Sequence, residues 1–272
     1  MIRMQRVVHH FLRGTVNEVV ALAGVDLHVR PQEFVTIIGS NGAGIYTLLR
    51  ALAGVVMVDA GKIEVAGTDV TCWLEHRRAA FISRIDQNPL ASTAPQLSIE
   101  ENMSLALLRG QKRGLGLAVT RKRKDYFRAA LEKVELGLED RLTTKVGTLS
   151  GGQRQALALV MAILAEPKVL LLDEHAAALD PKAAAQVMAI TERVVAEQRL
   201  TTLMVTHNME HAIRYGTRLL MMHQGRIVVD VSGPEKASLT VAGLVEKFHT
   251  LSGGVLADET LLGDWETSGQ PV

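Results

Sequence analysis

The segment Gly39-Ser40-Asn41-Gly42-Ala43-Gly44-Ile45-Tyr46-Thr47 sets three glycines between an apolar run and a helical pattern. Glycines placed so let backbone N–H groups turn inward around phosphate oxygens, and the start of a helix adds a field that favours negative charge. The chemistry on offer is phosphate binding, with a plain tight turn as the alternative. A full phosphate loop carries Lys after its last glycine, then Ser or Thr, for the β/γ-phosphates and Mg2+. Ile45 and Tyr46 stand in those places, and Thr47 does not simply substitute, because one residue along a helix turns the side chain by ~100°. Elsewhere, Asp173-Glu174 closes an apolar run, and a carboxylate at the end of a buried strand needs a partner. Such a pair can serve a cation and a water molecule, or cap the following helix. Ser150, Gly151 and Gly152 precede a further helical pattern and so offer a second anion-binding helix start. His207 ends another apolar run.

The elements that must hold these residues alternate short β-branched runs with longer stretches of helical period, the habit of an α/β domain on a largely parallel sheet. Residues 33–38 read as a strand feeding the glycine loop, and 46–53 as a helix ending near Gly54. Lys168-Val169-Leu170-Leu171-Leu172 reads as a central strand buried on both faces, and Leu203-Met204-Val205-Thr206 as another. Asp180-Pro181 supplies a cap and first-turn proline for a helix that buries Ala184, Val187, Ile190 and Val194. Residues 21–30 and 61–66 alternate apolar and polar, as antiparallel strands do. From Ile99 to Ala165 strand signals vanish, and Leu105, Leu108, Tyr126, Leu131 and Val134 predict helices. Arg218 to Val231 reads as a hairpin about Gln224-Gly225, Thr240 as the cap of a helix to Phe248, and 251–272 as a mobile tail.

Composition narrows the partners. Lys+Arg 30 against Asp+Glu 29 leaves a formal charge of +1, which gives no reason to expect nucleic acid or an anionic membrane over the whole chain of 272 residues. Residues 109–124 do carry seven basic side chains and no acidic one, read as a solvated inter-helix loop or a contact for a polyanion. One cysteine, Cys72, cannot form an internal disulfide, fits a reducing compartment and reads as a semi-buried thiol. No secretory signal or membrane-length apolar run is evident, so a soluble chain is expected. The histidines at 9, 10, 76 and 223 show no metal spacing.

Taken in order, Leu149-Ser150-Gly151-Gly152-Gln153, Leu170-Leu171-Leu172-Asp173-Glu174, Ala178-Leu179-Asp180 and His207 resemble the nucleotide-binding subunit of ATP-binding cassette (ABC) transporters, over about residues 1–250. The wording around Asp173-Glu174-His175 and Thr206-His207-Asn208-Met209 is most similar to bacterial importer ATPases that accompany periplasmic binding proteins, which implies amino-acid-like solutes. The resemblance implies a P-loop NTPase core of ABC type, α/β with an antiparallel β layer, over 1–88 and 150–250. It also implies a helical insertion over 89–149 that contacts a membrane permease. It implies ATP and Mg2+ as cofactors, the triphosphate in the loop Gly39, Ser40, Asn41, Gly42, Ala43, Gly44, Ile45, Tyr46 and Thr47. The resemblance implies that Asp173 and Gln87 face the metal, that Gln87 also senses the attacking water, that Glu174 acts as general base, and that His207 reaches the γ-phosphate and orients the water. Gln87 read by itself is a polar loop residue. Phe11 resembles the aromatic residue that stacks on adenine, or is a hydrophobic strand residue. Ser150, Gly151, Gly152 and Gln153 would contact nucleotide held by a second ABC subunit in a head-to-tail dimer, with Asp180 linking the two sites. The expected partners are that subunit, a permease and a periplasmic solute-binding protein, with no nucleic acid. The expected location is cytoplasmic, at the inner face of the cell membrane.

Where the pattern breaks, its chemistry weakens. A charge-assisted hydrogen bond is worth ~1.5–3 kcal/mol, so losing the lysine contacts to both the β- and the γ-phosphate weakens ATP binding by roughly one to three decades. The transition state loses more, because Ile45 cannot neutralise developing charge and Tyr46 is too bulky to mimic a small hydroxyl ligand. Hydrolysis at this loop is expected to be slow or absent, as in a degenerate subunit paired with an intact one, or in a loop altered while every other catalytic position is kept. A soluble ABC ATPase acting on DNA or ribosomes is the other class of reading; such proteins carry paired cassettes or long coiled coils, which this chain lacks.

Overall fold

The computed structural model describes residues 1–88, 90–111, 114 and 116–251. Two compact units emerge, one of Met1–Trp73 with the residues from Leu203 onward, the other of Leu74–Thr202.

The first unit opens with strands β1 (Ile2–Phe11) and β2 (Val19–Val29), then β3 (Phe34–Gly39), helix α1 (Ile45–Ala53), β4 (Ala60–Val65) and β5 (Thr68–Asp69). An antiparallel sheet runs in the order β2-β1-β4-β5. The alternation over 21–30 and 61–66 falls in β2 and β4 as expected. Its centre, β1, lacks a clean period because the register shifts between Met4 and Val7, where Arg6 takes φ 45°. Ile2, Met4 and Val7 nonetheless all point into the core. This bulge moves the apolar positions out of step with a two-residue repeat and hides the strand from a pattern search.

The second unit holds α2 (Glu75–Arg78), β6 (Ile82–Ile85), α3 (Ile99–Leu107), α4 (Arg121–Glu132), α5 (Gly151–Ile163), β7 (Val169–Asp173) and α6 (Pro181–Glu197). β6 and β7 pair in parallel, Ile85 opposite Leu172. Every residue of β7 is buried, as its unbroken apolar run requires. Asp180 caps α6 by accepting from the Ala183 N–H at 3.0 Å, and Val187, Ile190 and Val194 lie in the core while Ala184 is only half-buried. Between Ile99 and Ala165 no strand occurs among the described residues, apart from an isolated bridge between Ser98 and Lys145. The helical faces differ from expectation. Ile99, Met103, Phe127, Leu131 and Val134 are buried, whereas Leu105 and Tyr126 point outward. The basic stretch is not a uniform surface either: Arg109 turns in to donate to Ser83 Oγ, and Lys124 pairs with Glu100 at 2.9 Å. Lys112 and Arg113 lie outside the described residues.

The chain then forms β8 (Thr201–Val205) and continues in the first unit with α7 (Met209–Arg214), β9 (Arg218–His223), β10 (Arg226–Ser232), α8 (Gly233–Ala237) and α9 (Val241–Leu251). Here the strands lie in the order β10-β9-β3-β8, β3 parallel to β9 and β9 antiparallel to β10. The turn at Gln224-Gly225, with φ 45° and 72°, is the left-handed pair that a tight hairpin needs. Thr240 accepts from Gly243 N–H at 3.1 Å, as its reading as a cap requires. The tail expected over 251–272 lies, from residue 252 on, outside the described residues. Cys72 is exposed, not semi-buried. Among the described residues no helix is long and apolar enough to cross a membrane.

Candidate nucleotide-binding site

The glycine loop is shaped by close approach as well as by backbone angle. Gly42 and Gly44 take φ 75° and 91°, and Gly44 sits at the N-cap of α1. A Cβ on Gly44 would lie 2.1 Å from Ala21 O, and one on Gly39 would lie 2.3 Å from Met222 O. Gly42 has open space around it, so only its φ favours glycine. Inside the loop, Ala43 N–H donates to Ser40 O at 3.0 Å. The β9–β10 turn clamps it from outside: Gly225 N–H donates to Ala43 O at 3.0 Å, and Ala23 N–H donates to Gly225 O at 2.9 Å. His223 ends the same strand with Nδ1 3.3 Å from Ser40 Oγ. The sequence marks Gly225 only as a hairpin turn and His223 only as a histidine without metal spacing, because contacts between segments far apart in the chain leave no mark in residue type.

This geometry suits a polyphosphate. No side chain caps α1, and no acidic residue lies in its first turn, so its leading amides carry their partial positive charge toward the loop. The two unusual side chains part ways at once. Ile45 is 7% exposed and folds back until its Cδ1 stands 3.0 Å from the Cβ position of Gly39. Tyr46 is 56% exposed, its ring 5.2 Å from the Arg50 guanidinium carbon. Thr47 points inward and is buried. The loop therefore keeps its backbone cradle without a cationic or small hydroxyl side chain at positions 45 and 46.

Two further residues of this unit can be placed. Thr206 N–H donates to Ile37 O at 3.2 Å, which sets the end of β8 beside the strand that feeds the loop. His207 follows there, exposed, just before Asn208 caps α7 by accepting from His211 N–H at 2.8 Å. Phe11 ends β1 opposite Val19, two residues before the Ala21 that meets Gly44. It is 38% exposed, and its ring forms a T-shaped pair with His9, the centroids 4.8 Å apart.

The second unit gathers the remaining candidates. Ser150 caps α5 in a reciprocal box: its Oγ accepts from Gln153 N–H at 3.2 Å, and Gln153 Oε1 accepts from Ser150 N–H at 3.2 Å. The Ser150 hydroxyl proton stays available to an incoming acceptor. Gly151 and Gly152 sit against α6 and the segment before it, where a Cβ would meet Leu179 Cδ2 and Ala183 Cβ, each at 3.1 Å. These glycines thus join the Ser150 helix start to the Asp180 cap. Asp173 ends β7 at 9% exposure, and Glu174 follows in the left-handed region at φ 45°. For a non-glycine residue that conformation stores ~1–3 kcal/mol, a strain found mainly at functional turns. Gln87, exposed, leaves β6 at the same edge of the β6–β7 pair where Asp173 and Glu174 leave β7. Asp173 and Gln87 offer hard oxygen donors of the kind Mg2+ takes. Among the described residues no group of three His, Cys, Asp or Glu is gathered closely enough to hold a metal ion.

Known proteins resemble this chain in sequence and in fold. The family described as ABC transporter matches residues 22–177. The tyrosine transport ATP-binding protein of Clostridioides difficile (strain R20291) is 45% identical over 225 residues, 83% of this chain and 89% of its own. The phosphonates import ATP-binding protein PhnC of Frankia casuarinae is 34% identical over 220 residues, 78% of this chain and 85% of its own. Among solved structures, a bacterial ABC transporter cassette determined as a dimer superposes with a TM-score of 0.72 at 25% identity, over 85% of this chain and 98% of that one. A nucleotide-free ATP-binding cassette reaches a TM-score of 0.75 at 22% identity, over 95% of this chain and 99% of that one, a likeness of fold alone. With the family matched over more than half its length, this chain belongs to the ATP-binding proteins of ABC transporters.

Proposed function

We propose that the chain is the nucleotide-binding subunit of an ABC importer for amino-acid-like solutes, working with a separate membrane permease, a second ABC subunit and a periplasmic solute-binding protein. The observation that carries the reading is the glycine cradle of Gly39–Thr47 ahead of an uncapped helix, in a chain that also keeps Ser150-Gly151-Gly152, Asp173-Glu174, Asp180 and His207. The 45% identity to a tyrosine transport ATP-binding protein supports the solute class, and the import proteins among its relatives support the direction. The dimeric cassette structure supports a two-subunit assembly.

In this reading the loop amides hold the triphosphate and Phe11 stacks on the adenine. Asp173 and Gln87 hold Mg2+, which when bound neutralises charge on the phosphate oxygens. Glu174 takes the proton of the attacking water, and His207 hydrogen-bonds the γ-phosphate. Ser150 and the amides behind it serve nucleotide on the second subunit, with Asp180 linking the sites. Such a subunit works at the inner face of the cell membrane. Because Ile45 supplies no charge, nucleotide binding outlasts hydrolysis at this loop. Titration of the chain with a fluorescent ATP analogue tests the reading: saturable binding is expected, competed by ATP and weakened by Gly44→Ala. A chain that binds no nucleotide at millimolar concentration would refute it.

A further inference from the structure

Beside the strained Glu174 lies a buried histidine for which the proposed reaction has no use. His175 is 2% exposed, and its Nε2 lies 3.0 Å from Thr191 Oγ1 in the middle of α6. The Thr191 hydroxyl has one proton and donates it to Val187 O at 2.8 Å. Toward His175 that oxygen can only accept, so Nε2 carries the hydrogen and the ring orientation is set. The turn it belongs to is closed on its other side by Ala177 N–H donating to Glu174 O at 2.9 Å. Glu174 is thereby fastened between a strand end and a residue anchored in a seventeen-residue helix, in a backbone conformation it would otherwise leave.

We infer that His175 is a positioning residue: through its Nε2–H bond to Thr191 it holds the Glu174 turn in the left-handed conformation that aims the carboxylate. The role at the carboxylate rests on Glu174 being the base proposed above; the hold on the turn does not. Hydrogen exchange on the nucleotide-free chain therefore tests it first, with the Ala177 amide as reporter. His175→Ala and Thr191→Val should each speed that amide about tenfold, the loss of one net hydrogen bond. His175→Gln, whose terminal amide can occupy the Nε2 position, should restore protection, and His175→Asn, which reaches only the Nδ1 position, should not. Thr191→Val keeps the side-chain volume, so it reports even where His175→Ala fails to fold. Unchanged exchange in Thr191→Val, or equal rescue by Asn and Gln, overturns the inference.

The second readout is turnover in the Ile45→Lys/Tyr46→Ser background. There His175→Ala should lower kcat about tenfold or more with KM held, since small misplacements of a catalytic group act on the transition state. A raised KM with kcat unchanged overturns the positioning role. Should that background release no phosphate at all, the hydrolytic reading fails, and the exchange experiment alone decides the inference.

Discussion

Ile45→Lys with Tyr46→Ser restores the side chains that a phosphate loop uses, and the structure allows the gain to be bounded. Ile45 is only 7% exposed, its Cδ1 beside Gly39, so its removal forfeits part of the ~1.5–3 kcal/mol that burying such a side chain contributes. Much of this is recovered, because a lysine stem can lie along the same apolar surface while its ammonium reaches out. Tyr46 is 56% exposed, and its loss removes chiefly a contact with Arg50 worth ~0.5–1 kcal/mol. The net stability cost is about 1–2 kcal/mol, a fall of roughly 2–6 °C in Tm. Against that, one charge-assisted hydrogen bond to a phosphate contributes ~1.5–3 kcal/mol to binding, or roughly 10- to 150-fold in affinity. Turnover should rise by at least as much, since lysine also meets charge that develops in the transition state. Equilibrium binding of a fluorescent ATP analogue and steady phosphate release would be measured beside Ile45→Met, which keeps volume without charge. A folded double variant with neither tighter binding nor faster release would mean that phosphate does not sit at the start of α1.

Gly44→Ala should lower Tm sharply and weaken nucleotide binding, since its Cβ would stand 2.1 Å from Ala21 O, whereas Gly42→Ala, in open space, should cost only about 1 kcal/mol. Thermal denaturation of the two variants side by side checks this. At Glu174, where φ is 45°, Glu174→Gly should be about 1 kcal/mol more stable than Glu174→Ala, roughly 2–4 °C in Tm, with neither hydrolysing ATP. Burial, set against the nearby Glu210 charge, holds the His211 imidazole below its ordinary 6.5. With the folded-state value lowered, the unfolded chain takes up the proton first, so this contribution to stability is present above pH 6.5 and is lost as pH falls through the lower folded value. Tm should therefore decline below pH 6.5, and His211→Gln should flatten that decline.

The glycine loop was legible because its residue types encode two separate demands. Gly42 meets a backbone angle, Gly39 a close approach to Met222 O, and Gly44 both, so the three at this spacing leave few alternatives. Strand β7 and the Asp180-Pro181 helix start were legible for a similar reason, as burial on two faces and capping each require particular side chains. What escaped were features written in the backbone or in pairs far apart in sequence. The Arg6 bulge broke the alternation of β1, and the clamp of Gly225 on Ala43 is made by a main-chain amide that any residue carries. Helical period located α3 and α4 but not their inward faces, since exposed Leu105 and Tyr126 count toward periodicity as buried Met103 and Phe127 do. The same limit bears on Ile45. In sequence it is only a missing lysine, while in the structure its side chain occupies the space beside Gly39, so the substitution removes a charge and also props the loop from within. A side chain that packs a loop from within can hold its backbone shape without supplying a charge, so Ile45 bears on the form of the loop as well as on its electrostatics.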